Sequence, residues 1–260
     1  MLKKPKALLV DFGGVIVLTR KIEGWQRRLA EHVLEKIDEA GASDETITVD
    51  RVARDIDMGS KADSSWKDAM SRLYAPVELT HTQFWEDFVA ADWPAAAQKV
   101  VSDQATELCR VMNEGRQGRD LRDGFIEVLD TADAAGIPVV IVSNSLCGQV
   151  HRDWLAANGL TDRFLAEVYS DEVKVRKPNP QMIHLGAEAA GSTAAECWYV
   201  GDNYDRDVLC GARAGVGGNI LMEAHETYDM PYDLQLTADA VVADPHGLNE
   251  LLVAAIKESE

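Results

Sequence analysis

The chain has 260 residues, of which 46% are hydrophobic and 27% are charged, as in an ordinary globular protein that buries a core. It carries 44 acidic residues against 26 lysines and arginines, a formal net charge of −18. This balance argues against binding to DNA, RNA or anionic lipid, because such binders present a basic surface. No stretch approaches the roughly 18 apolar residues of a membrane span, and the N-terminal apolar run is interrupted by Asp11. We expect a cytoplasmic protein without nucleic-acid or membrane partners.

The first predicted element is a short strand near the N-terminus. Within residues 6–18, the apolar run Ala7–Val10 stops at Asp11, and Gly13 and Gly14 then permit a tight turn.

Residues 20–116 are predicted to be helical, because they are rich in alanine and charged residues with an amphipathic pattern. The clearest segment is WQRRLAEHVLEKIDEA. In it, the residues that recur at steps of three and four are Trp25, Leu29, His32, Val33 and Ile37.

After residue 117 the pattern alternates between strands and helices. The predicted helices lie over 125–135, near 150–158, after Pro180 and over LNELLVAAIKE. The predicted strands are IPVVIVSN, a segment near 165–170, WYVGD, GNILM and ADAVV. This alternation predicts an α/β fold with a doubly wound parallel sheet, built from residues 1–19 and 117–260 and interrupted by the helical insertion 20–116.

The four cysteines are predicted to be buried, reduced thiols rather than zinc ligands or disulfides, because they show no CxxC spacing and no paired histidine. They are Cys109, Cys147, Cys197 and Cys210.

Polar residues end several of the predicted strands, and in open parallel sheets ligands bind at the carboxyl ends of strands. Four segments have this form: LLVDFGGV with Asp11, VVIVSNS with Ser143 and Asn144, VKVRKPNP with Lys177, and WYVGDNYDRD with Asp202, Asp205 and Asp207. The order of these motifs resembles the haloacid dehalogenase-like (HAD) hydrolase superfamily, whose members are mostly Mg-dependent phosphatases. The resemblance spans the whole α/β portion and includes an insertion after the first strand, where the family carries an α-helical cap.

The resemblance implies a role for each matching residue. Asp11 would be the nucleophile and form an aspartyl-phosphate, while Ser143 and backbone N–H groups around Asn144 would bind the phosphoryl oxygens. Lys177 would offset the negative charge of Asp11 and the phosphate. Asp202 and Asp11 would hold Mg²⁺. Together, Mg²⁺ and Lys177 would screen the repulsion between a carboxylate and a phosphate dianion.

Asp207 and Asn203 are further candidates near the same motif. Asp207 matches an acid that in the family supports the lysine or a metal-bound water. It could equally act as a charge or cap at the start of the next helix, and we weigh these two interpretations evenly.

The sequence departs from the phosphatase pattern at Gly13. Phosphatase members usually carry a second aspartate there, which protonates the leaving oxygen and later activates water. In the family this position binds Mg²⁺ through its backbone carbonyl, so the resemblance implies that Gly13 keeps this metal ligand. General acid–base catalysis, typically worth about 10²–10⁴-fold, should be lost or relocated. His151, just beyond the second motif, is a possible substitute, although a surface helix histidine is the favoured interpretation.

Three functions are compatible with this departure. The favoured one is a Mg-dependent phosphatase that acts on a small phosphorylated metabolite with a good leaving group. The second is a non-catalytic HAD-like protein that binds phosphate or a metabolite. The third is a metal-free 2-haloacid dehalogenase, against which Asp202 argues because it would repel a haloacid carboxylate. The sequence makes no prediction of the oligomeric state.

Overall fold

Short apolar runs form the strands of a parallel sheet in the computed structural model, which describes residues 2–225 and 227–259. Within these residues the sheet consists of β1 (Ala7–Val10), β4 (Val139–Ser143), β5 (Ala166–Tyr169), β6 (Cys197–Gly201), β7 (Gly218–Met222) and β8 (Ala240–Val242). The strand order is β5-β4-β1-β6-β7-β8, and every neighbouring pair is parallel. The predicted parallel α/β fold is confirmed.

Apolar layers cover both faces of the sheet, and successive side chains of each strand point alternately into one layer or the other. In β1, Leu8 and Val10 pack into one apolar layer, and Ala7 and Leu9 pack into the other. The first layer includes residues of α6 (Phe125–Ala134) and α11 (Pro245–Lys257), and the second includes residues of α9 (Gln181–Ala189). The other α-helices here are α7 (Gly148–Ala157), α8 (Ser170–Val173) and α10 (Leu209–Ala214). Short 3₁₀ helices lie over Thr161–Arg163 and Ala194–Glu196, and a π-helical turn lies over Tyr204–Val208.

The predicted insertion is largely helical. Its helices are α1 (Trp25–Glu39), α2 (Val49–Ser71), α3 (His81–Gln83), a π-helical turn over Phe84–Val89, α4 (Ala95–Asp103) and α5 (Ala105–Arg116). Of the five residues predicted to share one face of α1, the four apolar ones are buried. The fifth, His32, keeps 29% of its side chain exposed and lies 3.7 Å from Glu35.

A two-stranded sheet lies where the chain enters and leaves the insertion, and the sequence analysis does not predict it. Its strands are β2 (Val17–Lys21) and β3 (Gln117–Leu121). Most of their residues are exposed or half-buried. They therefore lack the apolar run or alternation by which a strand is recognised in a sequence.

Contacts between residues group the chain into two units. One comprises Met1–Thr19, Met70–Glu78 and Arg119–Glu260, and the other comprises Arg20–Ala69 and Leu79–Gly118. Residues 70–78 thus belong with the α/β unit, although the predicted insertion contains them. Positions 1 and 260, the outer limits of the predicted core, lie outside the described residues, and the role of the helical unit as a cap stays a prediction.

All four cysteines are buried thiols, as predicted. Among the described residues, no helix combines the length and the apolar character that crossing a membrane demands.

Candidate active site

The three central strands bring their C-terminal polar residues to one edge of the sheet. β1 lies between β4 and β6, and Val10 pairs with both Ile141 and Val200. Asp11 directly follows β1, and its backbone N–H continues the ladder by donating to the Val200 carbonyl at 2.9 Å. Since Ser143 ends β4 and Asp202 follows β6, these two residues end up on either side of Asp11.

Lys177 is the central cation of this edge. Its side chain is 2% exposed, and its Nζ lies 3.0 Å from Asp11 Oδ2 and 2.5 Å from Asp207 Oδ1. The ammonium also donates to the Tyr199 hydroxyl at 2.9 Å, and that hydroxyl donates to Asp207 Oδ1 at 2.6 Å. One lysine therefore bridges two buried carboxylates, and a tyrosine completes its coordination.

The backbone of Lys177 is held by the side chain of Asn144. Asn144 Oδ1 accepts from the Lys177 N–H at 2.8 Å, and Asn144 Nδ2 donates to the Lys177 carbonyl at 3.2 Å. This pair of hydrogen bonds links the end of β4 to the lysine loop. The Asn144 side chain is thus engaged in placing Lys177, which leaves its backbone N–H as the group that the sequence analysis assigns to phosphate.

Asp11, Asp202 and Asp207 form a compact carboxylate cluster, with one oxygen of each lying within 4.8 Å of the others. Burial raises the pKa of Asp202 well above its ordinary value, and the negative charges of Asp207 and Asp11 raise it further. Asp202 is therefore the member of the cluster whose charge is least compensated by the protein.

The two carboxylates beside Lys177 respond to it in different ways. Burial raises the pKa of Asp11 above its ordinary value, although Lys177 and a hydrogen bond from Ser143 oppose this effect. Burial acts in the same direction on Asp207, but the adjacent Lys177 ammonium prevails and lowers its pKa. Burial opposes the charged form of Lys177, yet Asp11 and Asp207 raise its pKa. The lysine is therefore charged at neutral pH.

The cluster has the chemistry of a Mg²⁺ site. Three carboxylates face a single lysine, and carboxylate oxygens are the hard ligands that Mg²⁺ prefers. A neighbouring amide oxygen, Asn203 Oδ1, is buried and has no hydrogen-bond partner within residues 2–225 and 227–259. Gly14 allows Asp202 to approach the turn, because a Cβ at Gly14 would lie 2.1 Å from Asp202 Oδ2. These residues fit a divalent cation.

Gly13 leaves open space where the phosphatase pattern has its second aspartate. No atom of the described residues, apart from its own chain neighbours, lies within 4 Å of the position that a Cβ would take. Its φ is not positive, so an ordinary L-residue could adopt this backbone. A carboxylate at this position is therefore sterically possible.

The other sequence candidates lie in different surroundings. His151 on α7 is half-buried and stacks on Phe12, the neighbour of Asp11, with ring centroids 4.0 Å apart and planes 5° apart. The favoured interpretation of a plain surface histidine overlooks this stacking. Asp205 is buried and lies outside the carboxylate cluster, with its Oδ1 3.6 Å from Arg206 Nε.

The sequence pattern does not point to Tyr199 or Arg122, which are buried near this edge of the sheet. Tyr199 contacts both Lys177 and Asp207, and its only sequence signal is a polar hydroxyl within the apolar run of β6. Arg122 follows β3, and its guanidinium donates to the carbonyls of Gly14, Glu223 and Ala243, the last two at 3.0 and 3.1 Å. It thereby fixes the turn after Asp11 to segments that follow β7 and β8, a connection between residues far apart in sequence.

The uncompensated charge of Asp202 leads to a stability prediction. In EDTA at neutral pH, Asp202→Asn should raise the thermal unfolding midpoint above that of the wild type, because it removes a buried like charge. A raised folded-state pKa destabilises the fold at high pH, and this cost fades as the pH falls toward the ordinary value of 3.8. The difference between the variant and the wild type should therefore shrink on acidification.

Mg²⁺ should reverse this order. The ion should raise the unfolding midpoint of the wild type, since a ligand that binds only the folded state stabilises it, and should have little effect on Asp202→Asn. Differential scanning fluorimetry over pH and Mg²⁺ concentration measures both effects. Equal midpoints in EDTA, or equal responses to Mg²⁺, would contradict the assignment of Asp202 to the metal site.

Sequence comparisons match parts of this chain to curated phosphatases. It is 36% identical over 89 residues to the pyrophosphatase PpaX of Bacillus velezensis, covering 34% of this chain and 40% of that protein. It is 30% identical over 128 residues to the phosphoglycolate phosphatase of Xylella fastidiosa, covering 49% of this chain and 54% of that protein. The chain thus spans about half the length, or less, of these curated relatives.

Comparison with solved structures shows the same fold. A 2-haloacid dehalogenase from Pseudomonas syringae superposes with a TM-score of 0.58 at 17% identity, covering 98% of this chain and 99% of that one. The family profile described as haloacid dehalogenase-like hydrolase matches residues 5–215. With the motifs of that family gathered at the ends of the central strands, the chain belongs to the haloacid dehalogenase-like hydrolases.

Proposed function

We propose that the protein is a Mg-dependent phosphatase that acts on small phosphorylated metabolites through an aspartyl-phosphate on Asp11. The observation that carries the proposal is the buried Lys177 ammonium between Asp11 and Asp207, with Asp202 close by. A carboxylate can approach a phosphate dianion only where cations screen the repulsion. The phosphatase relatives support the same chemistry, although each alignment covers only part of the chain.

The proposed reaction has two steps, transfer of the phosphoryl group to Asp11 and hydrolysis of the aspartyl-phosphate. An oxygen of Asp11 attacks phosphorus, the bond from phosphorus to the leaving oxygen breaks, and the leaving group departs. The Ser143 hydroxyl donates to Asp11 in the free protein and is available to a phosphoryl oxygen. Lys177 offsets charge on the nucleophile and the phosphoryl group. Water then attacks the same phosphorus, the bond to Asp11 breaks, and inorganic phosphate leaves.

A metal ion held by Asp11, Asp202 and the Gly13 carbonyl would neutralise charge that develops on the phosphoryl oxygens. Asp207 supports Lys177 in this proposal rather than binding the ion, because its carboxylate already receives the lysine, the Tyr199 hydroxyl and the Asn203 N–H. These contacts favour the interpretation that Asp207 supports Lys177 over the interpretation that it only caps a helix.

Gly13 limits the substrates that the site can use. Glycine has no proton to give to a leaving oxygen, so the substrate must carry a group that departs without one. Acyl phosphates and sugar 1-phosphates meet this requirement better than ordinary alkyl phosphates. We therefore propose a preference for good leaving groups.

A metal-free dehalogenase is the less favoured alternative. Halide leaves without a proton, so Gly13 is no obstacle to that reaction. However, a haloacid carboxylate would have to enter beside Asp202 and Asp207. Together with Asp11, these carboxylates carry more negative charge than the positive charge that Lys177 and Arg206 supply. A binding protein without turnover is the second alternative, and the activity measurement below separates it from an enzyme.

Phosphate release should depend on both the leaving group and the metal. We expect Mg-dependent turnover of acetyl phosphate and much slower turnover of an alkyl phosphate, each measured as released phosphate. Asp11→Asn is the blank, because an amide keeps the shape of the side chain but is a poor nucleophile. Turnover that persists in EDTA would contradict the metal role, and the absence of turnover above the blank would favour the binding protein.

Gly13→Asp should restore a general acid to the site. The open space at Gly13 admits the side chain, and a general acid is worth about 10²–10⁴-fold, so alkyl phosphate turnover should rise toward that range. Acetyl phosphate needs no proton on its leaving group, so its turnover should rise only as far as faster hydrolysis of the aspartyl-phosphate allows. Gly13→Asn is the matched control, of equal size but without a proton to transfer. An equal gain in both variants, or no gain in either, would contradict this account of Gly13.

A further inference from the structure

Residues 70–78 return to the α/β unit in the middle of the helical insertion. The segment lies against the loop that carries Lys177, where Val77 forms an antiparallel bridge with Val175. The Glu78 N–H donates to the Lys174 carbonyl at 3.1 Å, and Asn179 Nδ2 donates to the Pro76 carbonyl at 3.2 Å. Backbone contacts before Lys177 and a side-chain contact after it therefore hold this segment on both sides of the lysine.

Glu78, at the end of the segment, places a buried carboxylate between two parts of the site. Its Oε1 accepts from Arg176 Nη1 at 2.9 Å, and its Oε2 accepts from the Ser170 hydroxyl at 2.5 Å. The side chains of Glu78 and Arg176 are only 2% and 1% exposed. A buried ion pair brings little net stability because both charges lose their hydration, so its value here lies in the geometry that it imposes.

One branch of this network leads to the lysine. Arg176 immediately precedes Lys177, and the side chain that it directs toward Glu78 fixes the conformation of the loop at that point. This ion pair and the two hydrogen bonds from Asn144 to the Lys177 backbone together hold the ammonium between Asp11 and Asp207.

The other branch leads to the loop after β4. The Ser170 hydroxyl has one proton, and its contact with a carboxylate is shorter than its 3.2 Å contact with the Ser145 carbonyl, so the proton goes to Glu78. The Ser170 oxygen is then oriented to accept from the Ser145 N–H at 2.9 Å. Ser145 follows Ser143 by two residues. The hydrogen bond from Ser145 to Ser170 therefore fixes the backbone conformation just after the predicted phosphate-binding position.

We propose that Glu78 is a positioning residue that holds the Lys177 loop and the Ser143 loop in their working geometry. Through Glu78, the inserted segment becomes part of the support of the site without touching the reacting atoms. This inference rests on the proposed phosphatase function for its kinetic consequence, whereas its structural consequence can be measured without any turnover.

The kinetic test compares Glu78→Gln with Glu172→Gln in the full chain. Gln keeps the size of Glu78 but removes the charge that draws in Arg176 and the Ser170 proton. We expect kcat for acetyl phosphate to fall by about 10–100-fold with KM changed less than about threefold, because misplaced catalytic groups cost mainly transition-state stabilisation. Glu172→Gln also breaks an arginine pair, the exposed contact with Arg152 in which Nη2 lies 2.9 Å from Oε2, and should leave kcat unchanged.

The second test measures amide hydrogen exchange by mass spectrometry in the absence of substrate. Glu78→Gln should speed exchange in peptides covering 143–148 and 174–179, and leave α11 unchanged. Ser170→Ala, a milder variant that removes only the hydroxyl link, should speed exchange in 143–148 alone. Unchanged exchange in both loops, or equal acceleration throughout the chain, would overturn the proposal even if activity fell.

These two readouts separate the positioning role from the proposed function. If the wild type turns over no phosphate ester but Glu78→Gln still loosens both loops, the phosphatase function fails while Glu78 keeps its positioning role. If the wild type is active and Glu78→Gln retains full kcat with unaltered exchange, the positioning role fails alone.

Discussion

The Lys177 ammonium lies 3.0 Å from Asp11 and 2.5 Å from Asp207, and the arrangement of the site depends on these contacts. Two buried carboxylates could not remain ionised so close together without a cation between them. Much of the surrounding structure serves to hold this lysine. Asn144 binds its backbone, Tyr199 binds its ammonium, and Asp202 is left with a charge that a divalent cation would balance.

This charge balance also explains why Gly13 would alter the proposed reaction without dismantling the site. Asp11, Lys177 and the carboxylates that fit a cation do not depend on a side chain at that position. In the proposed reaction, the glycine would remove a proton donor and, later, a base for water. We therefore propose a site that supports phosphoryl transfer to Asp11 more strongly than either the departure of a poor leaving group or the hydrolysis of the intermediate.

The α/β fold and the main site residues could be predicted because their signals are local. Each central strand is a short apolar run that a polar residue ends, and parallel pairing then brings Asp11, Ser143 and Asp202 to one edge. Asp207 could not be assigned, because its spacing suits both a helix cap and a partner of Lys177. Glu78 and Arg176 are 98 residues apart, so only the folded chain brings them together. The β2–β3 pair escaped prediction because its residues are largely polar and exposed.

The most direct test of the central claim is to look for the aspartyl-phosphate itself. Because Gly13 cannot activate water, the intermediate should break down slowly and accumulate during turnover of acetyl phosphate with Mg²⁺. Mass spectrometry of acid-quenched protein should then reveal the added mass of one phosphoryl group on the peptide that contains Asp11, and none in Asp11→Asn. Phosphate release at a steady rate from a wild type that never carries this group, or a phosphoryl group on another residue, would contradict the account.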